Sequence, residues 1–87
     1  MNTPPKKQRG TNEANEVLTG TVENIVYRAE ETGYTVCGLR VSGRKDAVTV
    51  VGTCAAIWAG ETLRTEGTWT RHPKHGYQFQ AASMICV

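Results

Sequence analysis

Apolar and polar residues alternate with a period of two along most of the chain, the signature of strands buried on one face. Leu18, Gly20 and Val22 share one parity, and Ile25 and Tyr27 share the other. The switch near Glu23-Asn24 predicts a long first strand, Val17 to Arg28, bent by a bulge. Ala29-Glu30-Glu31-Thr32-Gly33 is polar and ends in a glycine able to take positive φ, so it predicts a turn. Tyr34 to Val41 follows as a second strand, with Thr35, Cys37, Leu39 and Val41 directed inward and Tyr34, Val36, Gly38 and Arg40 on a more open face.

Ser42-Gly43-Arg44-Lys45-Asp46 predicts another tight turn, and the β-branched run Ala47 to Gly52 a third strand. From Thr53 to Gly60 the alternation breaks. Ala55, Ala56, Ile57, Trp58 and Ala59 predict one or two helical turns ending at Gly60, with Ile57 or Trp58 plugging the core. Alternation resumes over Thr62 to Thr70 and again over Tyr77 to Cys86, giving a fourth and a fifth strand. A three-stranded meander, a short helix between strands 3 and 4, and a closing hairpin together predict an all-β fold. The small five-stranded OB-like Greek-key barrel fits this order better than an SH3-like barrel, whose connection before the last strands is shorter.

Composition sets the limits. The chain has 87 residues, and positions 1–16, with Pro4, Pro5, Lys6, Lys7 and Arg9, predict a disordered tail ahead of a barrel domain over 17–87. A domain of that size buries only about 60% of the surface its unfolded chain exposes, so leaning on a neighbouring domain or on an oligomer is expected. The net charge of +2 is too small to mark a nucleic-acid binder, and any electropositive footprint must be local. Cys37, Cys54 and Cys86 form no C-x-x-C pair and read as free thiols in a cytoplasmic protein. No apolar run is long enough to span a bilayer, so no membrane partner is expected.

Chemistry concentrates between the last two strands. Arg71-His72-Pro73-Lys74-His75-Gly76 carries four cationic or titratable side chains in what reads as a loop, flanked by Trp69 and by Tyr77 and Phe79. His72 and His75 make a His-x-x-His with no third ligand in spacing, which predicts no metal site. No G-x-x-x-x-G-K-[ST] phosphate loop occurs, so the chain is expected to be catalytically inert and to need no cofactor itself. In an OB barrel, strands 2 and 3 and the loops joining strands 1–2 and 4–5 line the ligand groove. That geometry makes Arg28, Tyr34, Arg40, Arg71, Lys74, His75 and Tyr77 candidate DNA-binding residues, joined by Arg44 and Lys45 in the turn between strands 2 and 3. Tyr34 and Tyr77 are the candidate base stackers, while Trp69 and Phe79 have the parity of core aromatics. Glu30 and Glu31 oppose phosphate binding at the first loop.

Four segments in order carry a family resemblance: Leu18 to Glu23, Glu31 to Val36, Val48 to Gly52, and above all Thr70 to Ala81. Together they resemble the N-terminal OB-fold domain of bacterial RecD-like DNA helicases of the long form, similar to the exodeoxyribonuclease V alpha subunit. The resemblance implies a parent that is an ATP-dependent 5′–3′ helicase of DNA repair or recombination, with ATP and Mg bound by motor domains outside this chain. For the chain itself it implies an accessory single-stranded DNA-binding module or, alternatively, a module that docks on the helicase's own motor domains or on a repair or replication protein.

Overall fold

The computed structural model describes residues 15–74 and 76–87, so most of the expected tail lies outside the described residues. Five strands follow one another: β1 (Glu16–Ala29), β2 (Tyr34–Val41), β3 (Val48–Thr53), β4 (Thr62–His72) and β5 (Gly76–Cys86). They close into a barrel in the order β1-β2-β3-β5-β4, antiparallel throughout except for the β3–β5 seam, where Val50 pairs with Phe79 in parallel. This is the OB topology expected from the element order.

β1 must pair with both β2 and β4, and it bends to do so. Glu16 to Thr21 lie against β4, while Gly20 to Ala29 lie against β2. The expected parity switch is a bulge at Glu23, between the pairs Val22↔Leu39 and Asn24↔Gly38, and a further bulge follows at Val26. At the bend, a Cβ on Gly20 would run into the Arg40 carbonyl, which is why a residue without a side chain stands there. β5 carries an irregularity of its own: Glu66 pairs with Ser83 and Gly67 with Ala81, leaving Ala82 extra. The strand therefore changes face, burying Met84 and exposing Ile85.

The core is drawn from every strand, with Val22, Leu39, Val50, Leu63 and Phe79 at its centre. Thr35 and Thr65 are buried with their hydroxyls satisfied, Thr35 donating to the Gly33 carbonyl (2.9 Å) and Thr65 to that of Ser83 (2.9 Å).

The short helix expected between strands 3 and 4 is not there, and the described residues contain no helix. The segment between β3 and β4 is irregular because the carbonyls that would start a helix serve other donors. Arg28 donates to the carbonyls of Cys54 (3.0 Å) and Ala55 (3.0 Å), and the Cys54 thiol points at that of Ala56 (3.1 Å). The segment is pinned at its far end by Gly60 N–H to Val22 O and Val22 N–H to Glu61 O. Its plug is Ile57, which is buried, whereas Trp58 is 60% exposed. No helix of the described residues is long and apolar enough to cross a membrane.

Candidate nucleic-acid interface

The stretch read as a loop between the last strands is mostly strand. Arg71 pairs with Tyr77 and His72 with Gly76, so the connection shrinks to residues 73–75, and Gly76 takes φ of 77° to re-enter the ladder. The Lys74 backbone N–H closes the turn on His72 Nδ1 (3.0 Å). Trp69–His72 and Gly76–Phe79 thus form a two-stranded β4–β5 arm, whose two faces follow from the register. Trp69, Phe79, Arg71 and Tyr77 belong to one face, and Thr70, Gln78 and His72 belong to the other.

Each face borders its own groove. The first groove, of about 380 Å³, runs over the outer side of β2 and β3, lined by Val26, Tyr34, Val36 and Val51, with His72 and Gln78 from the arm. Its floor is apolar. Tyr34, 41% exposed, meets Tyr27 on β1 with ring centroids 6.2 Å apart and planes tilted by 59°. The second groove, of about 640 Å³, lies between the β2–β3 turn and the arm's other face, lined by Arg44, Lys45, Asp46, Trp69 and Tyr77. The two grooves share Thr49 on β3.

Two arginines in and beside the second groove are seated on rings. The Arg44 guanidinium lies 4.7 Å from the Trp69 ring centroid, and that of Arg71 lies 5.8 Å from the centroid of Tyr77. Trp69 is itself anchored, edge-on to Phe79 at 5.2 Å and donating its indole N–H to Glu16 Oε1 (3.0 Å).

The expected binding residues are thus divided. Tyr34 stands in the first groove, Arg44, Lys45 and Tyr77 line the second, and Arg71 stacks beside it. Lys74 is exposed in the turn at the arm's tip, and His75 lies outside the described residues. Arg28 joins neither groove. Its half-buried guanidinium is committed to Thr35 Oγ1 (2.7 Å), to the two carbonyls and to Glu30 (3.2 Å). Arg40 is exposed yet engaged, donating to Glu23 Oε2 (2.5 Å) and to the Lys45 carbonyl (3.1 Å), and the Glu23 carboxylate raises its pKa. The bulge at Glu23 is what aims that carboxylate across the strand pair.

Tyr27, Val26, His72 and Gln78 line or flank the first groove and are not among the DNA contacts expected from the sequence. The signal for Tyr27 was the β1–β2 hairpin itself. The registers Tyr27↔Val36 and Ala29↔Tyr34 put the two tyrosines diagonally across the strand pair, within aromatic reach. The second bulge, at Val26, hid it.

A closed five-stranded barrel of order 1-2-3-5-4, with grooves beside β2, β3 and the β4–β5 arm, defines an OB-fold domain. Residues 15–86 match the family model described as ATP-dependent DNA helicase YrrC, OB-fold domain. The chain belongs to this family, as the N-terminal OB-fold domain of a helicase.

Proposed function

We propose that this domain is a non-catalytic accessory module that binds single-stranded DNA for a RecD-like 5′–3′ helicase. ATP and Mg belong, on this reading, to motor domains outside this chain. The observation that carries it is the first groove: an apolar floor of Val36 and Val51 between the exposed Tyr34 and the polar wall of His72 and Gln78. Bases need an aromatic face and an apolar bed, and stacking is worth about 1–3 kcal/mol per base. Fluorescence anisotropy of the 87-residue chain with a labelled oligothymidylate tests it. Binding should appear at low salt, weaken as salt rises, and fall about ten-fold in Tyr34→Ala. Absence of binding at low salt and high protein concentration overturns it.

A second reading, docking on the helicase's own motor domains, is favoured by a different surface. Trp58 and Ile85, 60% and 55% exposed, border a cleft with Ala55 and Ala56 that shares no residue with either groove. In the full-length helicase, replacing Trp58 and Ile85 by serine should disturb assembly on this reading and leave oligonucleotide affinity unchanged.

A further inference from the structure

The first groove does not use the arm's other face, where three cations and two aromatic rings gather around one cleft: Arg44, Lys45 and Arg71 with Trp69 and Tyr77. We infer that this second groove is a separate nucleic-acid lane, in which Arg44 and Arg71 grip phosphodiester oxygens and Tyr77 stacks a base of a single strand. The inference rests on the single-strand reading above and adds to it where a second strand segment lies.

Four observations converge. A guanidinium lying flat on a ring has its N–H edges turned outward, and a rigid fork of donors fits a phosphate better than a free chain does. The Arg44 guanidinium sits over Trp69, 4.7 Å from the ring centroid, and Trp69 is itself fixed by Phe79 and Glu16. The turn carrying Arg44 and Lys45 is braced from behind, since Arg40 binds the Lys45 carbonyl and is itself clamped by Glu23. Tyr77 is 67% exposed beside these cations, an open π-face next to a phosphate grip. Asp46 lines the cleft and Glu16 holds Trp69 at its edge, so Arg44, Lys45 and Arg71 outnumber the carboxylates three to two.

The arm separates the lanes. Tyr34 and His72 border one and Trp69 and Tyr77 the other, so a ligand reaching both must straddle the arm or cross at Thr49. This makes the second lane separately addressable. Trp69 lies in it, and the other tryptophan, Trp58, lines neither groove.

In Trp58→Phe, Trp69 emission therefore reports the second lane while anisotropy of a labelled 15-mer oligothymidylate reports binding as a whole. We expect the oligonucleotide to quench Trp69 at saturation. Arg44→Ala combined with Arg71→Ala should remove that quenching, weaken affinity about ten-fold and lower the slope of log K against log salt by about 1.4, two phosphates at about 0.7 each. Tyr34→Ala should weaken affinity and leave the saturated Trp69 signal intact. If the oligonucleotide binds but Trp69 does not respond and the double arginine variant binds normally, the second lane is refuted and the single-strand reading stands. If no oligonucleotide binds, that reading falls and this one with it. If poly-glutamate changes Trp69 emission with equal affinity, the cleft is a general anion or acidic-peptide site and the nucleic-acid assignment is overturned.

Discussion

Arg28 donates to the hydroxyl of Thr35 at 2.7 Å, from the residue directly opposite it in the β1–β2 ladder. Thr35 is fully buried and donates its own hydroxyl hydrogen bond to the Gly33 carbonyl, so one guanidinium ties β1 to the β1–β2 turn and to the segment after β3. Arg28→Met keeps the aliphatic stem and strands the Thr35 acceptor and the two carbonyls. A loss of about 2–4 kcal/mol is expected, because hydrogen bonds from a charged donor are each worth about 1.5–3 kcal/mol and only part can be recovered from water. Urea denaturation checks it, with the midpoint falling and the slope unchanged.

A second prediction concerns Gly67. A Cβ there would overlap the backbone carbonyl of Gln80 at the irregularity of the β4–β5 ladder, and backbone cannot swing aside as a flexible side chain can. Gly67→Ala should cost about 1–3 kcal/mol, the range for overpacking a tight site. Gly43→Ala is a useful contrast. Nothing lies within 4 Å of its Cβ position, so only the strain of its φ of 88° is felt, and its loss should be smaller. Thermal melts of the two variants check the order.

These positions show what alternation can and cannot reveal. β2 was legible in its span and in its inward residues Thr35, Cys37 and Leu39 because Tyr34 to Val41 carries no extra residue, although Gly38, expected on the open face, is buried against Asn24. The bend of β1 was legible because Val22 and Ile25 break parity, and Ile25 packs on the core from the other side of the bulge. β5 was less so: Ala82 is small enough to be skipped without a visible gap in the pattern, and the inward set changes from Phe79 to Met84 across it. The missing helix had a different cause. Ala55, Ala56 and Ala59 favour a helix locally, but three carbonyl partners came from Arg28 and Cys54, and tertiary hydrogen bonds of that kind leave no local trace. At the site, residue types were legible and their division was not. Which face of the β4–β5 arm Arg71 and His72 occupy depends on where the strands end, and those ends lie two residues beyond Thr70 and one before Tyr77.

The third prediction is a pH effect. Burial pushes the Cys37 thiol up from its ordinary 9.0 to about 11, with the neighbouring Cys54 and Cys86 adding to the shift. The folded chain then holds this proton more tightly than the unfolded chain does. Stability from it is complete below pH 9.0 and is lost as pH rises through about 11. The melting temperature should fall across that window. Cys37→Ala, although less stable at neutral pH through the lost packing, should show a shallower fall. Equal slopes in the two proteins would show that Cys37 is not responsible.

The last prediction follows from the clamp on Arg40. Glu23 and Arg40 are each about half exposed, so their pair is a solvent-screened surface ion pair that adds little to stability. Glu23→Gln should therefore change the urea midpoint little. It leaves the Arg40 charge uncompensated beside the turn that carries Arg44 and Lys45, while the bond from Arg40 to the Lys45 carbonyl keeps that turn braced. An anionic strand in the second groove gains a cation near its path, so oligothymidylate affinity should rise a few-fold at low salt and converge with the parent chain at high salt. Glu23→Lys should raise it further, by reversing the charge at the bulge. Anisotropy titrations of the three proteins at two salt concentrations check this. Unchanged affinity at low salt in both variants would place the bound strand away from Arg40, out of the second groove and on the Tyr34 side of the arm.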